Sequence, residues 1–326
     1  MPADLAAQVR PSATIPLRRQ AGDAIILRHF LRRLALLPPR SPSASAAHGD
    51  RGRQQGRVAH SKRIRMRAPT ILALDFDGVV CDTVHEGCRS AWQVCRELAG
   101  FTGERPSPEA AAAFVRLRPA LEHGWEFPVL TLAIADGIPE PEILAGFQTV
   151  WRQRLLDRYR LDPAQLAARF DQVRDRAIAA SMDGWLADQA LYPGMAARLN
   201  AALAGGTRIF VITTKEGRFA HRLLEVHGVR LPIERVWGKE AKRPKPELLR
   251  KLRQQEAVES ERIWFVEDRL KTLQAVTREP DLAGVGLFLA LWGYVMPGDQ
   301  GEAAAAPRLT PLTLDRFCGA FDTWTA

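Results

Sequence analysis

Residues Ile71 to Thr83 read ILALDFDGVVCDT, and no other stretch constrains the chain as much. The apolar run Ile71 to Leu74 predicts a short buried strand that stops at two carboxylates two residues apart. Side chains alternate along a strand, so Asp75 and Asp77 can leave it on one side, and Gly78 lets the chain turn sharply behind them. Two acids beside a hydrophobic core are costly to desolvate unless they hold a cation or do chemistry.

The rest of the chain gives this strand a context. Residues 84–99 have a helical period, and a cluster of breakers follows between Gly100 and Pro108. Helical segments then succeed one another: Glu109–Leu117, Pro119–Ala135, Glu140–Tyr159, Pro163–Ala180 and Gly194–Ala204, with no strand expected among them. After residue 207 the texture changes. Strands are expected at Arg208–Thr213, Arg235–Trp237, Arg262–Val266 and Val285–Leu291. Helices are expected at Gly217–His227, Glu247–Gln255, Leu270–Thr277 and Thr313–Ala320. Alternation of this kind argues an α/β fold, a Rossmann-like parallel sheet flanked by helices. The expected organisation is a core over 68–83 and 205–326, interrupted by an all-helical insertion over 84–204.

Composition matters only once the charge is located. The formal net charge is +9, yet residues 1–65 hold 13 Lys/Arg against 3 Asp/Glu and the remainder holds 33 against 34. The globular part is therefore neutral and has no basic footprint for nucleic acid. Residues 1–67 read as a basic, disordered extension: a transit peptide, a basic arm, or an untranslated upstream stretch, since Met66 stands just before the first strand. No apolar run approaches the ~18 residues of a membrane span. Four cysteines without a CxxC pair suggest core packing in a reducing compartment. A cytoplasmic protein is expected, or a plastid or mitochondrial one if the extension is a transit peptide.

Open α/β sheets bind ligands beyond the carboxyl ends of their strands, so chemistry is expected at the later strand ends as well. Arg208–Thr213 runs into Thr213-Thr214-Lys215, where a hydroxyl can donate to a phosphate oxygen and a helix starting near Gly217 adds N–H donors. Arg262–Val266 runs into Glu267-Asp268, a pair suited to a hard cation such as magnesium. Between them, Lys242, Arg243 and Lys245 each offer a cation to offset carboxylate and phosphate charge.

The apolar-DxDGVVxDT string resembles motif I of the haloacid dehalogenase-like hydrolases. Thr213 matches that family's motif II, Glu267-Asp268 its motif IV, and Leu291-Trp-Gly-Tyr294 the turn after the last core strand of phosphoglycolate phosphatase-like members. The Glu-Asp form is similar to the beta-phosphoglucomutase branch. Motif III departs from the usual Lys-Pro-x-Pro, because Arg243-Pro-Lys-Pro246 places Arg where Lys is expected.

The resemblance implies roles. Asp75 would be the nucleophile, forming an aspartyl-phosphate, and Asp77 the general acid and base. Thr213 and Thr214, with Lys242 or Lys245, would bind phosphate. Mg²⁺ would be held by Asp75, Asp77 (through its backbone carbonyl) and Asp268, with Glu267 a direct or water-mediated second acid. The helical insertion resembles a C1 cap. In it Arg116, Arg118, Glu122, His123, Trp125 and Glu126 are specificity candidates, with Gly124 as a hinge. The expected function is a Mg²⁺-dependent phosphatase of a small phosphorylated metabolite, with no nucleic-acid or membrane partner. A phosphomutase acting on a sugar phosphate and a non-catalytic binding protein on the same scaffold are the alternatives.

Overall fold

A computed structural model describes residues 68–324; the basic extension expected over residues 1–67 lies outside the described residues. Six strands form a parallel sheet: β1 (Ile71–Leu74), β4 (Arg208–Ile212), β5 (Val236–Trp237), β6 (Ile263–Glu267), β7 (Gly286–Ala290) and β8 (Leu309–Leu312), in the order β5-β4-β1-β6-β7-β8. Two further strands, β2 (Cys81–Asp82) and β3 (Ala190–Leu191), pair antiparallel to each other.

The motif I strand sits in the middle because every one of its residues is apolar. Ile71 to Leu74 are wholly enclosed, and β1 bonds in parallel to β4 on one side and β6 on the other. Parallel strands covered on both faces read as continuous apolar runs. Leu72 and Leu74 face one hydrophobic layer with Ile209, Val211, Trp264 and Phe288; Ile71 and Ala73 face another with Phe210, Phe265, Leu249 and Leu273.

The edge strand β8 was not expected from sequence. Its run Leu-Thr-Pro-Leu contains Pro311, which removes a ladder donor and is tolerated only at a sheet edge. The pair β2–β3 is two residues long and carries no periodic signal.

The expected cap is helical apart from β3. Its central helix, Glu126–Ala135, is buried over Glu126 to Ala133, so it lacks the one-sided pattern of a surface helix. Helix Pro163–Ala180 falls where expected, started by the Asp162 side chain accepting from the N–H groups of Ala164 and Gln165. The expected helix Pro119–Ala135 instead breaks into a 3-10 turn, Arg118–Ala120, and the helix from Glu126, with Gly124 in the bend. Glu126 ties this bend down: its carboxylate accepts from the backbone N–H of Glu122 and His123 and pairs with Arg152.

Packing moves one boundary. Helix Met195–Ala204 was expected within the cap, but Met195, Leu199 and Ala202 are buried in the same layer as Leu72 and Val211. The chain has therefore rejoined the sheet before residue 204, because this helix buries its apolar face on the sheet and not on the cap. Cys81, Cys88 and Cys95 are buried and unpaired. Among the described residues, no helix is long and apolar enough to cross a membrane.

Candidate active site

The three central strands β4, β1 and β6 deliver their following residues to one place. Asp75 continues the β1 ladder, its N–H donating to the Val266 carbonyl at 3.0 Å. Thr213 does the same beside β5, donating to the Trp237 carbonyl at 2.9 Å. Glu267 is the last residue of β6, and Asp268 follows it. Asp75, Glu267 and Asp268 are buried, with one carboxylate oxygen from each lying within 4.8 Å of the others.

Two glycines make this approach possible. Gly78 has φ +87°, and a Cβ there would stand 2.1 Å from Asp268 Oδ2. A Cβ on Gly293 would stand 2.3 Å from the Gly78 carbonyl and 2.5 Å from the Asp268 Cβ. The turn after β1 and the turn after β7 thus close on Asp268 from two sides. The Tyr294 N–H completes the grip, donating to Asp268 Oδ2 at 2.8 Å.

Of Lys242, Arg243 and Lys245, only Lys245 is brought to the acids. Lys245 is the first residue of helix Lys245–Gln255, and its Nζ lies 2.8 Å from Asp75 Oδ1 and 2.5 Å from Glu267 Oε2, above the Phe265 ring. Lys242 does not reach the site. It is exposed, with φ +48° at the end of the turn Lys239–Ala241, and Arg243 pairs with Glu247 on the surface. Burial lowers the pKa of Lys245, but the charges of Asp75 and Glu267 outweigh it and hold the ammonium protonated.

A second lysine escaped the sequence reading. Lys215 is buried, with its Nζ 3.3 Å from Asp77 Oδ1 and its backbone N–H donating to Thr213 Oγ1 at 3.1 Å. Its only signal was its place two residues after a strand-end threonine. Thr214, expected to bind phosphate, is exposed. The N–H groups expected from the helix at Gly217 are not free either: the Gly217 N–H donates to the carboxylate of Glu240 at 3.1–3.2 Å.

The donor set fits a hard divalent cation. Three buried carboxylates face a single ammonium, and burial raises the pKa of both Asp75 and Glu267. A cation bound between oxygen ligands removes that excess negative charge. Both Glu267 oxygens are engaged, by Lys245 and by the Arg269 N–H, whereas Asp75 and Asp268 each use one. Asp75 and Asp268 are thus the ligands best placed for direct contact. The Asp77 carboxylate stands apart from this cluster, against Lys215.

Of the cap candidates, Arg118 packs on Tyr294, the residue whose N–H holds Asp268. Its guanidinium lies between the rings of Tyr294 and Phe127, 4.3 and 4.7 Å from their centroids. Arg116 pairs with Glu140 on the surface, and Glu122 pairs with Lys271 at 2.7 Å. His123 stacks on Trp125, and Glu126 is structural. A buried pair that sequence did not suggest, Glu86 with Arg174, joins helix Val84–Ala99 to helix Pro163–Ala180.

Acids and a lysine gathered at the carboxyl ends of adjacent parallel strands mark the ligand site of a doubly wound α/β protein. A family model of haloacid dehalogenase-like hydrolases matches residues 69–277, and the chain belongs to this family. A predicted phosphatase from Clostridium acetobutylicum superposes with a TM-score of 0.50 at 13% identity, covering 77% of this chain and 97% of that one. A HAD family hydrolase from Deinococcus radiodurans R1, solved with bound phosphate and sodium, does so with a TM-score of 0.43 at 20% identity, covering 74% and 91%. At 13% identity the likeness to the first is one of fold. A search of curated proteins gave no match.

Proposed function

We propose that this hydrolase cleaves the phosphate monoester of a small phosphorylated metabolite by way of an aspartyl-phosphate on Asp75. The observation that carries the reading is the division of labour between two carboxylates two residues apart. Asp75 lies in the acidic cluster against Lys245, and Asp77 stands outside it against Lys215.

In the first half-reaction an Asp75 oxygen attacks phosphorus and the bond from phosphorus to the ester oxygen breaks. Asp77 gives its proton to that leaving oxygen. In the second half-reaction Asp77 takes a proton from water, which attacks the phosphoryl group and frees the Asp75 carboxylate. Lys215 orients Asp77 for both transfers. Thr213 Oγ1 accepts from the Lys215 N–H, which leaves its hydroxyl hydrogen to donate to a phosphoryl oxygen. Lys245 offsets charge on the phosphoryl oxygens while Glu267 fixes its position. Asp75 and Asp268, with Glu267 behind them, would hold Mg²⁺, which supplies charge neutralisation for the attack of one anion on another. The helical cap excludes bulk water and large substrates, which favours a metabolite over a phosphoprotein or nucleic acid.

The test is phosphate release from a panel of phosphorylated metabolites in Mg²⁺, for the wild type and for Asp75→Asn. Release that falls by about a thousandfold or more in the variant is expected. Isomerisation without net release would point to a phosphomutase, and no turnover across a broad panel would reject an enzymatic role.

A further inference from the structure

Asp75 and Asp77 stand two residues apart but are fixed by different means. Asp75 belongs to the sheet, its N–H bonded to Val266 of β6. Asp77 has left the sheet and lies in a turn over residues 76–81 that is bonded mainly to itself. The Phe76 carbonyl accepts from the N–H groups of Val79, Val80 and Cys81, and the Gly78 N–H donates to the Cys81 carbonyl at 2.9 Å. These bonds stiffen the turn without tying it to β1. A carboxylate that passes a proton to an ester held at Asp75 has to keep its place relative to Asp75. A misplacement of about 1 Å costs a factor of roughly a hundred.

Two donors from elsewhere in the chain meet the outward carbonyls of this turn. The Tyr192 N–H reaches the Val80 carbonyl at 3.2 Å, and the Trp292 indole Nε1–H reaches the Val79 carbonyl at 2.9 Å. Val79 is wholly enclosed, so the indole supplies a donor that water cannot replace. Trp292 belongs to the stretch Leu291–Tyr294, in which Gly293 and Tyr294 close on Asp268 and leave the tryptophan unexplained. Its ring is braced from behind. It packs on Phe317 with 5.3 Å between centroids, and Phe317 packs on the buried Trp324 at 4.9 Å. The Leu291 N–H donates to the Leu312 carbonyl of edge strand β8 at 2.9 Å. The indole donor therefore projects from a packed aromatic layer.

We infer that Trp292 is a positioning residue, whose indole N–H holds the turn that carries Asp77 in register with Asp75. This rests on the phosphatase reading above. Lys215 sets the direction of the Asp77 carboxylate, and Trp292 sets the backbone from which it projects. Loss of the indole donor then harms the step that needs the Asp77 proton and spares a step that does not. The alcohol of an alkyl phosphate needs that proton to leave, whereas para-nitrophenolate leaves as the anion.

Trp292→Phe keeps an aromatic ring on Phe317 and removes the donor. The alkyl ester turned over fastest in the metabolite panel is compared with para-nitrophenyl phosphate by kcat/KM, which ends at departure of the alcohol and is blind to hydrolysis of the aspartyl-phosphate. For the alkyl ester it should fall by roughly 10–100-fold, and for para-nitrophenyl phosphate by less than about threefold. Asp77→Asn should show the same contrast more steeply. Adding Trp292→Phe to it should cost the alkyl ester no more than about twofold further, because the tryptophan works through that carboxylate. Benzothienylalanine at position 292 keeps the shape of indole with sulfur in place of N–H, and should reproduce the contrast if Trp292→Phe folds poorly. Equal losses on the two esters, no loss on the alkyl ester, or independent losses in the double variant overturn the inference. Amide hydrogen exchange reads the turn without turnover. Residues 76–81 should exchange faster in Trp292→Phe while residues 71–74 stay as in the wild type, and unchanged exchange in the turn overturns the inference. A wild type that turns over no ester rejects the phosphatase reading, and the exchange result then decides for or against Trp292 by itself.

Discussion

Replacing Arg174 by Met should expose how two helices of the insertion, Val84–Ala99 and Pro163–Ala180, are fastened together. Glu86 is 2% exposed and Arg174 16%, and two hydrogen bonds of 2.8 and 2.5 Å join them. Ser90 and Trp185 also donate to Glu86 Oε1. Burial raises the Glu86 pKa, but Arg174 above all, with Lys215 and Ser90, overrides it and brings the carboxyl from 4.5 to about 2. A shift of that size corresponds to roughly 3 kcal/mol favouring the folded state at neutral pH. Because the folded pKa is depressed, this stability is fully present above about pH 4.5 and is lost as pH falls toward 2. Removing Arg174 leaves Glu86 buried and uncompensated, at a cost of about 3–5 kcal/mol at pH 7, or a melting temperature lower by roughly 6–20 °C. In the variant the Glu86 carboxyl folds protonated, so its deficit relative to wild type should shrink as pH falls toward 4. Thermal unfolding followed by circular dichroism from pH 4 to 8 measures both effects. The double variant Glu86→Gln with Arg174→Met should recover much of the loss at pH 7. A deficit that stays constant across this range, with no recovery in the double variant, would refute the electrostatic account and leave only the lost packing of the Arg174 guanidinium on the Phe170 ring, 4.2 Å from its centroid.

Two further substitutions probe the site. Lys245→Ala should lower kcat/KM by about a hundredfold or more while Lys242→Ala stays within about twofold of wild type; equal effects in steady-state assays would return motif III to ambiguity. Gly78→Ala forces a Cβ onto Asp268 at a backbone angle of +87°. It should destabilise the protein by about 1–3 kcal/mol in urea unfolding and weaken Mg²⁺ affinity in calorimetric titration, and wild-type values in both would show that the turn relaxes freely.

The strand ends of the candidate site were legible in sequence because each couples an apolar run to a polar stop within a few residues. β1 with Asp75 and Asp77, β4 with Thr213, and β6 with Glu267 and Asp268 are all of this kind. The motif III lysine was not. Three basic residues share the segment 242–245, and only the backbone separates them: the left-handed turn at Lys242 directs the chain away, and extended Pro244 starts the helix that carries Lys245 inward. Edge strand β8 was obscured by its proline. The Glu86–Arg174 pair spans 88 residues, a separation across which no local periodicity gives a signal. The cap boundary was set too late because Met195–Ala204 is amphipathic in either domain, and what it packs against is a property of the whole fold.

Tyr294 lies beyond the family-matched segment, yet it touches three separate stretches of the chain. Its N–H grips Asp268, its hydroxyl accepts from the Thr83 N–H at the start of the cap-entry helix, and its ring carries Arg118. Replacing residues 84–194 by another helical segment is therefore not a modular operation on this core. A transplanted cap that brings no cation to the ring at 294 would leave an aromatic face uncovered beside the acidic cluster. A substitution at 118 or 294 therefore acts on both, since each holds the other's face.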